Sequence, residues 1–235
     1  YMTYDKYSEL KRRFDATRSY TSESISLDNI LKASKIHESI KSKYKTVFSE
    51  LFSYMNHPII YYHNDRMGCW YISYILYKEV YNILNRVYTE ELFNDFKEFI
   101  LRYNRYDSSD NNACLNDMLY VEPLIFRIMD YLYRLYELYI NYKTMNEHLP
   151  NPNCKDFLAF LYLYNSFVRT YKSGTTFFNN VLQNFHKEIN NAVLNYQAKC
   201  TGVTFNVDNL NLYSPIKPPE SVVLESVVKH ENNQN

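Results

Sequence analysis

The side chains able to make covalent or metal bonds are four cysteines and six histidines. Cys69, Cys114, Cys154 and Cys200 allow three disulfide pairings, and sequence alone does not choose among them. Helical geometry favours one. A helix leaving Cys69 runs roughly 25 Å to a turn near Asn85, and its successor returns as far by Tyr106, at about 1.5 Å per residue. Cys114 then comes to lie near Cys69, and a turn at Gly174 brings Cys200 back beside Cys154 in the same way. Loops with separations of 45 and 46 residues, once closed, each contribute about 4 kcal/mol in the chain-entropy description. The alternative is four buried free thiols that pack as small hydrophobes. The positions of Cys114, Cys154 and Cys200, at helix ends or in loops, argue against it. Two disulfides imply an oxidising compartment or exposure outside a cell.

The histidines are scattered: His37, His57, His63, His148, His186 and His230. His57, His63 and Asp65 share a loop, but without a paired motif such as H-E-x-x-H their expected role is structural or solvent-facing. There is no G-x-S-x-G, P-loop or G-x-G-x-x-G. Cys69 lies in an apolar stripe with no charged neighbour to activate its thiol. No enzymatic activity, cofactor, metal or small-molecule substrate is therefore expected. The 26 basic and 26 acidic residues balance, and no basic block tracks a phosphate backbone, which excludes nucleic acid as the expected partner. No helix has the sustained basic face of a membrane-surface helix.

Three glycines in 235 residues leave little for the tight turns of a many-stranded sheet, so an all-α fold is expected. The organising stretch is Leu119 to Tyr142. Leu124, Ile128, Tyr131, Leu135, Leu138 and Tyr142 form one apolar seam, with Ile125, Met129, Leu132, Tyr136 and Tyr139 beside it. Two adjacent seams predict a helix buried over a wide arc. Arg127, Asp130, Arg134, Glu137 and Asn141 form the polar stripe assigned to solvent, with charges spaced to pair along the helix. Pro123 suits its first turn, and Glu122 adds negative charge at that end. The expected architecture is an antiparallel multi-helix bundle around this central buried helix, clamped by disulfides.

Taken in order, Tyr7, Leu10 and Phe14 mark a short first helix, and Leu27 to Met55 reads as one long amphipathic helix with Lys35, Glu38, Lys41 and Lys45 outward. Pro58 stops it. Asp65 is the expected N-cap of the next helix, whose stripe is Cys69, Ile72, Leu76, Val80, Ile83 and Val87, with Trp70 at a hairpin base. Thr89 opens another, with Leu92, Phe96, Phe99 and Tyr103 inward, followed by a polar loop from Tyr106 to Asp117. Pro150 and Pro152 close off the central helix. Phe157, Leu161, Tyr164, Val168 and Tyr171 then define a helix expected to end at a left-handed Gly174, and Phe178, Leu182, Phe185, Ile189, Ala192 and Tyr196 define the last. Residues 1–200 thus form one helical domain and 201–235 a largely irregular linker or tail, with one apolar strip, VVLESVV, that docks. No apolar run is long enough to cross a bilayer, and the chain begins at Tyr1 without an initiator Met, so trimmed ends or a fragment are expected.

The segment Cys69-Trp70-Tyr71-Ile72-Ser73-Tyr74-Ile75-Leu76 resembles the C-x-Y-L-N-Y-W-L segment of the Plasmodium interspersed repeat (PIR) superfamily, the Vir-type variant antigens of malaria parasites. TYDKYSELKRRFD is similar to the short first helix of those proteins, MDYLYRLYELYINYKTM to their central helix, and CKDFLAFLYLYNSFVRTY to the helix after it. The likeness covers residues 1 to about 200, in order. Ile75 stands where tryptophan is usual and Ser73 where asparagine is usual. The resemblance implies an exported, variable protein of the infected red blood cell, at its membrane or surface, acting in immune evasion or in adhesion to a host cell-surface receptor, with antibody as a further partner. It implies a membrane anchor outside these residues. The family supplies no motif for binding residues; loops such as Asn104 to Asn116 are the expected changeable contacts. The alternative is an intracellular or exported helical scaffold without surface display.

Overall fold

The computed structural model describes residues 1–16, 26–61, 65–106, 112–146 and 153–215. Among them are ten α-helices and no strand, so the chain is all-α. The central element is α8 (Pro123–Asn146), flanked by α1 (Tyr4–Ala16), α6 (Arg66–Lys78) and α9 (Cys154–Thr170). Phe185 of α10 (Thr176–Lys199) also reaches it, with ring centroids 4.6 Å from Tyr136 and 5.8 Å from Tyr139.

Along α8 the second seam is buried from Met129 to Tyr139, but Leu124 and Ile125 at the helix start are exposed, and most of the first seam is half-buried. The buried arc extends one stripe the other way, through Phe126, Asp130 and Tyr133. Asp130 and Glu137, assigned to solvent by pattern, therefore face other helices. Asp130 accepts the Tyr74 hydroxyl at 3.0 Å and pairs with Arg134 at 2.7 Å, while Glu137 accepts the Tyr7 hydroxyl at 2.7 Å. Hydroxyl donors from α1 and α6 replace the water these carboxylates lose.

The short first helix is more central than its length suggests. Tyr7, Leu10 and Phe14 are buried as expected, and so is Met2 ahead of it. The Met2 amide donates to the Tyr133 hydroxyl at 2.7 Å, and the Met2 carbonyl accepts the Tyr136 hydroxyl at 3.2 Å. Tyr7 stacks on Tyr133 and Tyr4 lies edge-on to Tyr136, so two of the tyrosines of α8 are locked against α1 by ring and hydroxyl together.

The single helix expected from Leu27 to Met55 is in fact three: α2 (Leu27–Ala33), α3 (Glu38–Lys43) and α4 (Lys45–Met55). Ser34 leaves α2 in extended conformation, the His37 ring accepts the Ser39 amide to cap α3, and Tyr44 (φ −114°, ψ 24°) starts a new axis. Side chains that satisfy helix ends divide a continuous apolar pattern into pieces. Lys41, expected outward, is buried; its Nζ bonds Glu38 at 2.8 Å and the Ser34 carbonyl at 3.5 Å.

Pro58 starts α5 (Pro58–Tyr61), and Asp65 caps α6 by accepting from Met67 at 2.9 Å and Gly68 at 3.4 Å. A Cβ on Gly68 would sit 2.9 Å from Ile60 Cδ1, so glycine there lets α5 and α6 touch. A π-helical turn, Glu79–Ile83, ends this stretch, and the chain reverses at Asn85 (φ 49°). Val87, placed on the buried stripe by spacing, follows the reversal and is exposed. Thr89 then caps α7 (Glu90–Tyr106), whose inward residues Leu92, Phe96, Phe99 and Tyr103 pack it on α2 and α4.

In the C-terminal half Asn153 caps α9 and Thr175 caps α10. α9 ends at Thr170, and Gly174 is not its left-handed stop; the left-handed glycine is Gly202 (φ 75°), which turns the chain back after α10. Residues 203–215 then run without helix or strand along the groove between α9 and α10. The strip VVLESVV, the loop centre 107–111, Pro150, Pro152, His63, His148 and His230 lie outside the described residues.

Candidate functional site

The four cysteines meet in the pairs that hairpin geometry favours. Cys69 bonds Cys114 with Cα atoms 5.3 Å apart, Cys154 bonds Cys200 with Cα atoms 6.0 Å apart, and no cysteine is free. The first link joins the first turn of α6 to the turn before α8. Cys114 takes a left-handed conformation there (φ 59°), and the turn is held by Asn104 Nδ2 donating to the Ala113 carbonyl and by the Leu119 amide donating to the buried Ser73 hydroxyl. Asn104 and Ala113 are themselves buried, so the two ends of the loop expected to be exposed are fastened to the core. The second link joins the first residue of α9 to the cap of α10, where the Cys200 amide donates to the Tyr196 carbonyl at 2.8 Å.

A cleft lies beside each disulfide. The one near Cys69–Cys114, of 310 Å³, is largely apolar and lined by Trp70, Leu119, Tyr120, Ile125, Met129 and Tyr133 among others. Trp70 thus sits half-buried at the hairpin base with the Arg66 guanidinium 5.2 Å from its ring, and its Nε1 is buried with no hydrogen-bond partner. The cleft near Cys154–Cys200, of 470 Å³, mixes Tyr142, Phe157 and Tyr196 with Lys143, Glu188, Asn191 and Lys199. Sequence patterning missed it because its walls come from three helix ends, none of which is unusual alone.

Several titratable groups tie helices to one another. Burial, reinforced by neighbouring rings and by Glu137 or Asp130, pushes the Tyr7 and Tyr74 hydroxyls far above the usual tyrosine range, so both remain proton donors. His186 Nδ1 lies 2.7 Å from the Tyr164 hydroxyl, tying α10 to α9, and burial lowers its pKa. His57 is buried against Phe14, with ring centroids 4.5 Å apart; its Nδ1 accepts the Ile59 amide, and burial lowers its pKa as well. Among the described residues no group of three His, Cys, Asp or Glu side chains is arranged to hold a metal ion.

The arrangement offers a disulfide-braced surface with clefts. No protein-family model, curated protein or solved structure matches the chain. No helix among the described residues is long and apolar enough to cross a membrane.

Proposed function

We propose that this chain is the non-catalytic ectodomain of a PIR-type variant antigen, presented by the infected red blood cell and acting in immune evasion, in adhesion to a host receptor, or in both. The observation that carries the reading is the pairing of all four cysteines, which suits a protein that matures and works outside a reducing cytosol. The resemblance of four segments in order, and the helices those segments form, support it. In this reading the helices hold the shape, while the clefts beside the disulfides and the exposed side chains of α9 such as Tyr162 supply contacts. An antibody raised against the folded chain tests it. Labelling of intact, non-permeabilised infected red cells, lost after brief surface trypsin treatment, is the expected result. Labelling that needs permeabilisation would overturn display and leave the internal scaffold.

A further inference from the structure

After α10 the chain doubles back and is held by its main chain. Three amide side chains each bind a main-chain donor and acceptor. Gln197 takes the Phe205 N–H and the Val203 carbonyl at 3.3 and 2.9 Å. Asn165 takes the Asp208 N–H and the Asn206 carbonyl at 3.0 and 2.9 Å, and Asn179 takes the N–H and carbonyl of Tyr213 at 2.8 and 2.7 Å. Gln197 and Asn179 belong to α10 and Asn165 to α9, so alternate main-chain units of the strap are gripped from opposite sides, as an extended chain permits. Gln197 and Asn179 are about 27 Å apart along α10 at 1.5 Å per residue. The roughly eight to ten strap residues between their contacts cover that length only when nearly fully stretched. The buried Phe205 ring and the Arg169–Asp208 ion pair add side-chain anchors.

We propose that residues 203–213 are a mechanical clasp: tension entering from the C-terminal side is borne in shear by the α9–α10 groove and, once the clasp opens, passes through the Cys154–Cys200 disulfide, so that α9 and α10 are not unwound. The strap starts at the disulfide end of the bundle and leaves at the other, where α10 begins and Tyr1 stacks on Phe178 at 4.1 Å. A pull between the disulfide end and the C-terminus runs along the strap and loads every amide bracket together. A pull between Tyr1 and the C-terminus starts with both points at one end and peels the brackets singly. The inference does not depend on display at a cell surface.

Single-molecule pulling on the full chain tests it, with one handle at the C-terminus and the other at position 143, near the disulfide end, or at Tyr1. The expected rupture force from position 143 is about twofold or more that from Tyr1, because hydrogen bonds sharing a load fail together. Asn165→Ala with Asn179→Ala should remove most of that difference, since the Gln197 bracket and the Ser173 N–H bond to the Asn211 carbonyl remain. Asp208→Asn, which keeps the brackets, should reduce it only in part, and it decides the matter if the double variant loses helix content by circular dichroism. Reduction should then add about 160 Å of extension from the 46-residue loop, at up to 3.6 Å per residue. Equal forces from the two attachment points in the unsubstituted chain would overturn the clasp, and equal extensions with and without reductant would overturn the bypass.

Discussion

Two carboxylates of α8 take tyrosine hydroxyls from neighbouring helices in place of water. Tyr7 reaches Glu137 and Tyr74 reaches Asp130, so two acidic residues that charge spacing assigns to solvent instead hold α1 and α6 to α8. A hydropathy pattern cannot show this, because the donor lies on a helix distant in sequence. Tyr7→Phe is expected to cost about 1–2 kcal/mol in urea unfolding, below the full value of a bond to a charged group because Glu137 remains partly in water. His57 yields a pH prediction. Burial lowers its pKa in the folded state below the ordinary value of 6.5, so the unfolded chain binds its proton first as pH falls. The stability this site contributes is complete above pH 6.5 and declines as pH drops from there towards the folded pKa. Urea midpoints at pH 7.5 and about 5.5 should therefore differ, and His57→Gln should narrow the gap. His186 shifts in the same direction and should account for part of what remains.

Among the elements, caps and reversals explain both what patterning reveals and what it hides. Asp65 and Thr89 are N-caps as their positions suggest, since a carboxylate or hydroxyl just ahead of an apolar period satisfies orphan amides. The break at Tyr44 was not legible, because the apolar spacing of Ile36, Ile40 and Val47 continues across it, and neither it nor the break at Ser34 is marked by a glycine or proline between Leu27 and Met55. The strap was hidden for a different reason: asparagine is common in this chain, and nothing local distinguishes the residues that grip a main chain from the others. Asp65 also pairs with Lys6 at 3.3 Å and so joins α6 to α1. Asp65→Ala should cost about 1–2 kcal/mol, chiefly through the cap, as a lower thermal midpoint with helix content retained.

At the scale of the whole molecule, two layers meet: α2, α4 and α7 on one side of α6, and α1, α8, α9 and α10 on the other. Each disulfide closes one layer, Cys69–Cys114 around α7 and Cys154–Cys200 around α9 and α10. This pairing was legible because helix lengths convert sequence separation into distance, and a hairpin returns its cysteine to where it began. The clefts were not, because they form where ends of separate helices converge. Loop closure of this size contributes about 4 kcal/mol per bond in the chain-entropy description, a large part of the stability of an ordinary domain. Reduction should accordingly lower the unfolding midpoint sharply. The most direct measurement is a peptide map of the protein isolated from its own cell, alkylated before reduction and read by mass spectrometry. It should show no alkylated thiol, with the Cys69 peptide joined to that of Cys114 and the Cys154 peptide joined to that of Cys200. Four alkylated cysteines would contradict the clamped fold, and with it the proposal that this chain works outside a reducing cytosol.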